Sequence, residues 1–190
     1  MKIDVRLYLP LVKKEIACKI QSFSKETIWT RGVGSRIYGT AMHMLSLDYD
    51  RIMLRVLLLE LEFLREVYEP GNFYVLKTKE NGYHAECVDH FTAKEVVEIQ
   101  DASSCDRVFT RGPLFNDTRS WYLRNAPKGD RAAPTLAGVV ESPYEGNRMQ
   151  STFHAGKLSE LIGREVKLVN PDGIQIGYID EYETPIKGGA

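Results

Sequence analysis

Two aspartates, Asp48 and Asp50, stand two positions apart at the end of a segment that alternates apolar and polar residues. Such alternation over residues 41–50 is typical of a strand, so both carboxylates are predicted to project from one face. Paired carboxylates raise each other's pKa unless a divalent cation neutralises them, and hard oxygen ligands suit Mg²⁺ or Mn²⁺. The same spacing permits a structural interpretation, in which Asp48 ends an edge strand and Asp50 caps the following helix.

A histidine, His84, follows the Asn81-Gly82 turn by two residues and lies on another strand of the predicted sheet. A histidine near a metal pair can hydrogen-bond a phosphate oxygen of a bound nucleotide or serve as a general acid. The alternative is a surface histidine on a hairpin. The residue type and its position therefore make His84 a candidate nucleotide-binding group.

Further along the chain, Asp106 follows Cys105, and Arg124 and Lys128 stand at the end of a predicted strand and in the loop after it. A third carboxylate would complete the bridging of two metal ions held about 3.5–4 Å apart. The two cations could meet a triphosphate. Taken singly, each of the three residues also has the pattern of an ordinary surface charge.

Together these elements resemble the archaeo-eukaryotic primase superfamily, in particular its primase-polymerase branch of viruses, plasmids and some bacterial systems. The matching pieces, in the family's order, are Leu47-Asp48-Tyr49-Asp50, Gly82-Tyr83-His84, Cys105-Asp106 and Trp121-Tyr122-Leu123-Arg124 with Lys128. The resemblance covers residues 41–130. Gly82 stands where the family often has serine, and Asp101 or Asp117 could replace Asp106 as the third acid.

The resemblance implies template-directed nucleotidyl transfer, as in a DNA primase or DNA polymerase, by a two-metal mechanism. The implied metal ligands and catalytic residues are Asp48, Asp50 and Asp106, holding Mg²⁺ or Mn²⁺, and the implied nucleotide-binding residues are His84, Arg124 and Lys128. The implied partners are nucleoside triphosphates and a single-stranded or primed DNA template. A helicase or primer-initiation module, in trans or on a longer chain, would assist.

The elements that must position these residues form the order strand, helix, strand, strand, helix, strand between residues 41 and 125. This order predicts an α+β fold whose catalytic sheet is a split β-α-β unit of the ferredoxin-like or RNA-recognition-motif type. We expect a broadly buried helix over residues 51–69, stopped by Pro70-Gly71. A hairpin follows over 73–79 and 83–88. The second helix, 93–100, begins at a capping box of Thr92 and Glu95, and residues 120–124 form the last strand.

The flanking α/β elements are less regular. Residues 5–11 alternate like a strand, residues 13–23 could be a short helix or a strand, and residues 31–36 are expected to be a flexible basic loop. A turn-rich stretch contains Gly112-Pro113. Residues 125–133 read as a basic loop, 137–140 as a strand and 157–162 as a helical turn ended by Gly163. Residues 166–170 and 174–179 are predicted to form a hairpin.

Composition and charge restrict the class of protein. Hydrophobic residues make up 43% of the 190 and charged residues 27%, which excludes a disordered or collagen-like chain. Lys and Arg number 25 against 26 for Asp and Glu, so nucleic acid must be met by a local basic patch. The three cysteines form no C-x-x-C pair, which excludes a Cys-based zinc site.

The chain also lacks the patterns of secretion and membrane insertion. Its N-terminal residues alternate charged and apolar types, unlike a signal peptide, and its longest apolar stretch, 56–59, is far below the ~20 residues of a bilayer span. We therefore expect a cytoplasmic, intracellular protein, and the family's distribution extends this to a virus- or plasmid-encoded one. A single catalytic domain over residues 1–190 is expected, with its motif-bearing core at about 41–130.

Two other function classes use a similar frame. A non-enzymatic module for single-stranded nucleic acid would stack bases on Phe73, Tyr74 and Tyr83, but paired aspartates are unfavourable beside an anionic backbone unless metal is present. A replication-initiator nuclease requires two histidines as H-x-H on one strand. His84 is followed by Glu86 instead, so that signature is missing.

Overall fold

The computed structural model describes residues 2–9, 14–21, 27–37, 39–116, 120–173 and 179–185. The chain divides into two compact units, Met1–Ile28 with Glu183–Ala190, and Trp29–Tyr182, which contains all the motif residues. The fold is α+β, with four helices in the described part. The elements are β1 (Lys2–Leu9), β2 (Lys14–Gln21), β3 (Thr27–Gly34), β4 (Met42–Asp50), α1 (Leu54–Tyr68), β5 (Phe73–Lys79), β6 (Gly82–Thr92), α2 (Ala93–Ala102), α3 (Arg107–Asn116), β7 (Tyr122–Arg124), β8 (Thr135–Val140), α4 (Thr152–Ile162) and β9 (Ile179–Pro185).

The smaller unit contains an antiparallel pair of strands, β1 and β2, in which Lys2 lies opposite Gln21 and Leu9 opposite Lys14. The alternation over residues 5–11 predicted a strand, and β1 covers most of it. The segment for which helix and strand both remained open is a strand, β2. Pairing with a neighbouring strand decides between the two states, because an isolated segment of this length has little preference of its own.

Residues 31–36 are not the flexible basic loop that their glycines and arginines suggested. Their first part belongs to β3, which pairs antiparallel with β7, Gly32 opposite Arg124 and Gly34 opposite Tyr122. A Cβ at Gly34 would lie 2.7 Å from the Tyr122 ring, so this glycine allows close packing against the aromatic side chain. β3 lies between β7 and β9 in a three-stranded sheet.

The four-stranded sheet, ordered β4-β6-β5-β8, is antiparallel throughout. Helix α1 connects β4 to β5, and β6 lies between these two strands. The segment expected as the last strand of this sheet, residues 120–124, contributes β7, which pairs with β3 instead. The fourth position is taken by β8, whose Val140 lies opposite Phe73 of β5 at the other edge.

Both faces of this sheet are covered. Leu45 and Leu47 of β4 pack with Leu57 and Leu61 of α1 in the larger hydrophobic core, to which α2 also contributes. On the other face, Leu76 and its neighbours pack with Ala155 and Leu158 of α4 in a second core. The period of two along each strand directs alternate side chains to the two cores.

Helix α1 differs from its prediction in its start and in its burial. It begins at Leu54, so Asp50 is the last residue of β4 and not a helix cap; the N-cap, Met53, makes no side-chain cap hydrogen bond. Val56, Leu59, Phe63 and Val67 are 44–60% exposed. The helix is therefore buried along one side only, although most of its residues are apolar.

The other helices follow the local signals to different degrees. α2 carries the predicted capping box, in which the Thr92 hydroxyl accepts the Glu95 N–H and the Glu95 carboxylate accepts the Thr92 N–H. α3 was not predicted, because Gly112 and Pro113 read as a turn and Pro113 lies inside the helix. α4 starts earlier than predicted and ends, as predicted, at Gly163, with a φ of 69°.

The C-terminal expectations have mixed outcomes. β8 confirms the strand predicted at 137–140, and residues 125–133 contain no strand or helix. Residues 166–170 are not a strand, and 174–178, in the other half of the expected hairpin, lie outside the described residues. Within the described residues, no helix has the length and apolar character needed to cross a membrane.

Candidate functional site

The predicted pair Asp48 and His84 lies on adjacent strands. Asp48 of β4 is directly opposite His84 of β6, and His84 Nε2 is 3.6 Å from Asp48 Oδ1. Asp50 shares the face of Asp48 because side chains alternate along β4. Its carboxylate is exposed and forms an ion pair of 2.7 Å with Lys79 at the end of β5.

Asp106 is brought to the same place by the chain segment before α3. Its backbone N–H donates to the Asp48 carbonyl at 2.7 Å, and the Asp48 N–H donates to Cys105 Sγ at 3.3 Å. The segment thus runs beside the edge of β4 that β6 does not use. The Asp106 carboxylate accepts the Val108 N–H at 2.8 Å, so it also caps the start of α3.

The acids at this edge interact electrostatically. Burial, followed by the negative charges of Asp50 and Asp106, raises the pKa of Asp48 to about 7, while Lys79 acts in the opposite direction. Desolvation is the largest cause because it penalises the charged carboxylate directly. Near neutral pH this carboxyl group is therefore poised between its protonated and ionised forms.

The donor chemistry of the three aspartates fits a hard divalent cation, although they are not arranged as a formed metal site. Within the described residues, no three His, Cys, Asp or Glu side chains are placed to hold one ion. The three groups offer carboxylate oxygens, and the charges of Asp50 and Asp106 both raise the pKa of Asp48. A divalent cation bound by these groups would relieve their mutual repulsion.

His84 is almost fully buried and neutral. Burial, followed by the positive charge of Arg124, lowers its pKa to about 3. Its Nδ1 atom is buried without a hydrogen-bond partner among the described residues. A buried polar atom without a partner is unfavourable, and a ligand that hydrogen-bonds to it would remove that cost.

Arg124 is engaged with backbone carbonyls. Its guanidinium donates to the carbonyls of Ala126 at 2.7 Å, Ala132 at 2.6 Å and Thr78 at 3.2 Å. These bonds hold the loop after β7 and tie it to the end of β5. Arg124 therefore has a structural role in addition to the phosphate contact that the resemblance implies.

Lys128 lies in that loop, close to two other cations. Burial lowers its pKa, and Arg131 and Arg124 lower it further. The Lys128 and Arg131 backbones exchange hydrogen bonds of 2.9 and 3.0 Å, which closes a small turn. Three positive side chains thus share one locality, and one of them, Arg124, also acts electrostatically on His84. Such a concentration of positive charge attracts an anion.

The residues considered as alternatives, for the third acid and for base stacking, do not lie at this site as far as the structure describes them. Asp101 pairs with Arg107 at 2.5 Å, and Asp117 lies outside the described residues. Phe73, Tyr74 and Tyr83 are 0%, 7% and 6% exposed. Because these rings are buried in the two cores, the stacking surface expected for a non-enzymatic binding module is absent among them.

One residue beside the site, Glu86, was missed as a candidate. It lies on β6 opposite Ser46, on the face that carries His84, and burial raises its pKa to about 7. The sequence did contain a signal for Glu86, because residues two apart on a strand, such as His84 and Glu86, project from the same face. Its burial could not be inferred from the sequence, because a carboxylate on a strand is usually exposed.

Comparison of the chain with protein-family models, curated proteins and solved structures finds no match. The function is therefore inferred from the residues and geometry of the site.

Proposed function

We propose that this protein catalyses template-directed nucleotidyl transfer of the DNA primase or DNA polymerase kind, using nucleoside triphosphates. The observation that carries the proposal is the hydrogen bond from the Asp106 N–H to the Asp48 carbonyl, at 2.7 Å. It brings a third acid, distant in sequence, beside the Asp48 and Asp50 pair. The charges of Asp50 and Asp106 both act on Asp48, in agreement with this proximity.

The fold supports the proposal through the arrangement of its first three sheet strands. β6 lies between β4 and β5, and α1 connects those two strands. This arrangement supports the split β-α-β unit that the resemblance to primase-polymerases implies. The structure differs from the expected order of strands at the free edge of β4. The segment with Cys105 and Asp106 lies beside Asp48 there, and β7 pairs with β3 instead.

Asp48, Asp50 and Asp106 would hold two divalent cations, Mg²⁺ or Mn²⁺. Ions bound there would lower the pKa of the 3′-hydroxyl and offset the charge of the leaving pyrophosphate. In the transfer, the 3′-hydroxyl would lose its proton to solvent and its oxygen would bond to the α-phosphorus, while the bond from that phosphorus to the pyrophosphate oxygen would break. Burial of Asp48 limits the hydration of its carboxylate, which strengthens the electrostatic interactions of that group.

The remaining site residues bind the nucleotide in this proposal. His84 is neutral, so one of its ring nitrogens is a hydrogen-bond donor to a phosphate oxygen. Lys128 would supply positive charge to the phosphates, and Arg124 holds the loop that carries Lys128. This local cationic group would let a chain of net charge −1 bind an anionic substrate.

The test is nucleotide incorporation on a primed or single-stranded DNA template with Mg²⁺ or Mn²⁺. The Asp106→Asn variant should lose incorporation by at least a hundredfold while keeping its fold, because asparagine also caps helices. The matched variant Asp101→Asn should retain it. Full activity of the Asp48→Asn, Asp50→Asn double variant would contradict the proposal.

A further inference from the structure

A cavity of about 590 Å³ lies between the start of β4, helix α2 and helix α3, and none of Asp48, Asp50 and Asp106 lines it. Its apolar walls include Ala93 and Val97 of α2 and Pro113 of α3, together with the Trp121 ring. None of the proposed catalytic or nucleotide-binding residues lines it. Its size falls within the roughly 300–1,000 Å³ of small-molecule sites, which are also mostly apolar.

The Trp121 ring, which forms the aromatic wall of the cavity, is held by a hydrogen bond and by a ring contact. The Trp121 indole N–H donates to the Thr110 carbonyl at 3.1 Å, which ties it to α3. The His43 ring packs edge-on against it, with ring centroids 5.3 Å apart and an angle of 76° between the planes. Rings that are held in place before binding lose little conformational entropy when a ligand packs on them.

His43 adds a polar ring to this wall. The Ser35 hydroxyl accepts the Trp121 backbone N–H at 3.1 Å and lies 3.0 Å from His43 Nδ1. This contact holds the ring in place, and a neutral imidazole has one donor and one acceptor nitrogen. Burial, followed by Arg36, lowers the pKa of His43, in agreement with the neutral form.

Two arginines that line the cavity, Arg36 and Arg111, are exposed and form no ion pair within the described residues. The carboxylate that lines it, Asp101, is already paired with Arg107 at 2.5 Å. The unbalanced charge is therefore positive. Guanidinium groups favour carboxylates and phosphates because they can donate two parallel hydrogen bonds to them.

We infer that this cavity binds an amphipathic aromatic anion, with its flat ring among the apolar walls and its phosphate or carboxylate on Arg36 and Arg111. A free nucleoside monophosphate and one unstacked nucleotide of a single strand share this chemistry. The inference goes beyond the proposed nucleotidyl transfer, since the cavity would bind its ligand whether or not the aspartates are catalytic.

Tryptophan fluorescence tests the inference directly. The chain has two tryptophans, so in a Trp29→Phe background Trp121 alone reports on the cavity. Adenosine 5′-monophosphate and a twelve-residue oligodeoxyadenylate are titrated separately, with equilibrium dialysis of the unaltered protein as a second measurement. Saturable binding of the monophosphate identifies a free ligand, and binding of the oligonucleotide alone identifies a strand; either supports the inference.

Arginine variants test whether the positive charge of the cavity contributes to binding. Arg36→Gln with Arg111→Gln should raise the dissociation constant at least tenfold, and adenosine without its phosphate should bind at least tenfold more weakly than the monophosphate. Arg55→Gln, an exposed position on α1 that does not line the cavity, should leave binding unchanged. Failure of both probes to bind, or binding that ignores the arginine pair, would overturn the inference.

Discussion

Asp48 and His84 face each other across β4 and β6, with 3.6 Å between Oδ1 and Nε2, yet the pair is not an ion pair at neutral pH. Burial raises the pKa of Asp48 to about 7 and lowers that of His84 to about 3. The histidine is therefore uncharged, and the distance is beyond a normal hydrogen bond. A buried edge with two groups pushed toward neutrality is suited to receive a charged ligand.

Replacement of His84 by alanine should impair use of the nucleotide more than binding of the template. The side chain offers one neutral donor, so its loss should raise the Michaelis constant for nucleotide about tenfold. Steady-state incorporation and template affinity, measured on the same preparation, give the two quantities. Equal losses of both would argue against a nucleotide-binding role for His84.

The Lys128→Ala variant should raise the Michaelis constant for nucleotide about ten- to a hundredfold, from the loss of a charge-assisted hydrogen bond. Its thermal unfolding midpoint should stay close to the parent value, because no side-chain hydrogen bond of Lys128 holds the loop among the described residues. Template affinity against salt provides the control. A shallower salt dependence with unchanged nucleotide affinity would assign Lys128 to the template backbone.

Arg124 should behave differently from Lys128. Arg124→Ala removes the donor to the carbonyls of Ala126, Ala132 and Thr78, so we expect a loss of about 2–4 kcal/mol in the free energy of unfolding. Arg124→Lys should recover only part of it, because an ammonium cannot reproduce the planar fork. Chemical denaturation of both variants measures this; an unchanged stability for Arg124→Ala would contradict the structural role.

Glu86 should make the protein less stable as the pH rises. Burial raises its folded pKa to about 7 from 4.5, so between these values the folded state holds a proton that the unfolded state has lost. The free energy of unfolding therefore falls across this window and the loss is complete above pH 7. The Glu86→Gln variant should gain about 2–3 kcal/mol over the parent at pH 8 and little at pH 4.

Urea denaturation at the two pH values measures this difference. The control is Glu98→Gln, since Glu98 is exposed on α2 and pairs with Lys94. A gain for Glu86→Gln that is the same at pH 4 and pH 8 would show that the carboxyl group does not titrate in this window.

Several elements around the site were predictable because their signals act over a few residues. Thr92 and Glu95 close a capping box within one turn, and Asn81-Gly82 makes the tight connection between β5 and β6. Alternation predicted that Asp48 and Asp50 share a face. The same local reasoning was wrong for α3, where Pro113 lies inside a helix, and for the start of α1.

Residues 41–50 and 81–84 thus determined by themselves that an acidic pair and a histidine occupy strands of one sheet, because side-chain alternation and turn chemistry are local properties. Only the tertiary structure decided that Asp106 meets Asp48, that Arg124 supports the loop of Lys128, and that Phe73, Tyr74 and Tyr83 are buried. Those relationships join residues far apart in sequence. Packing of the helices and strands sets their distances, and no short-range pattern contains that information.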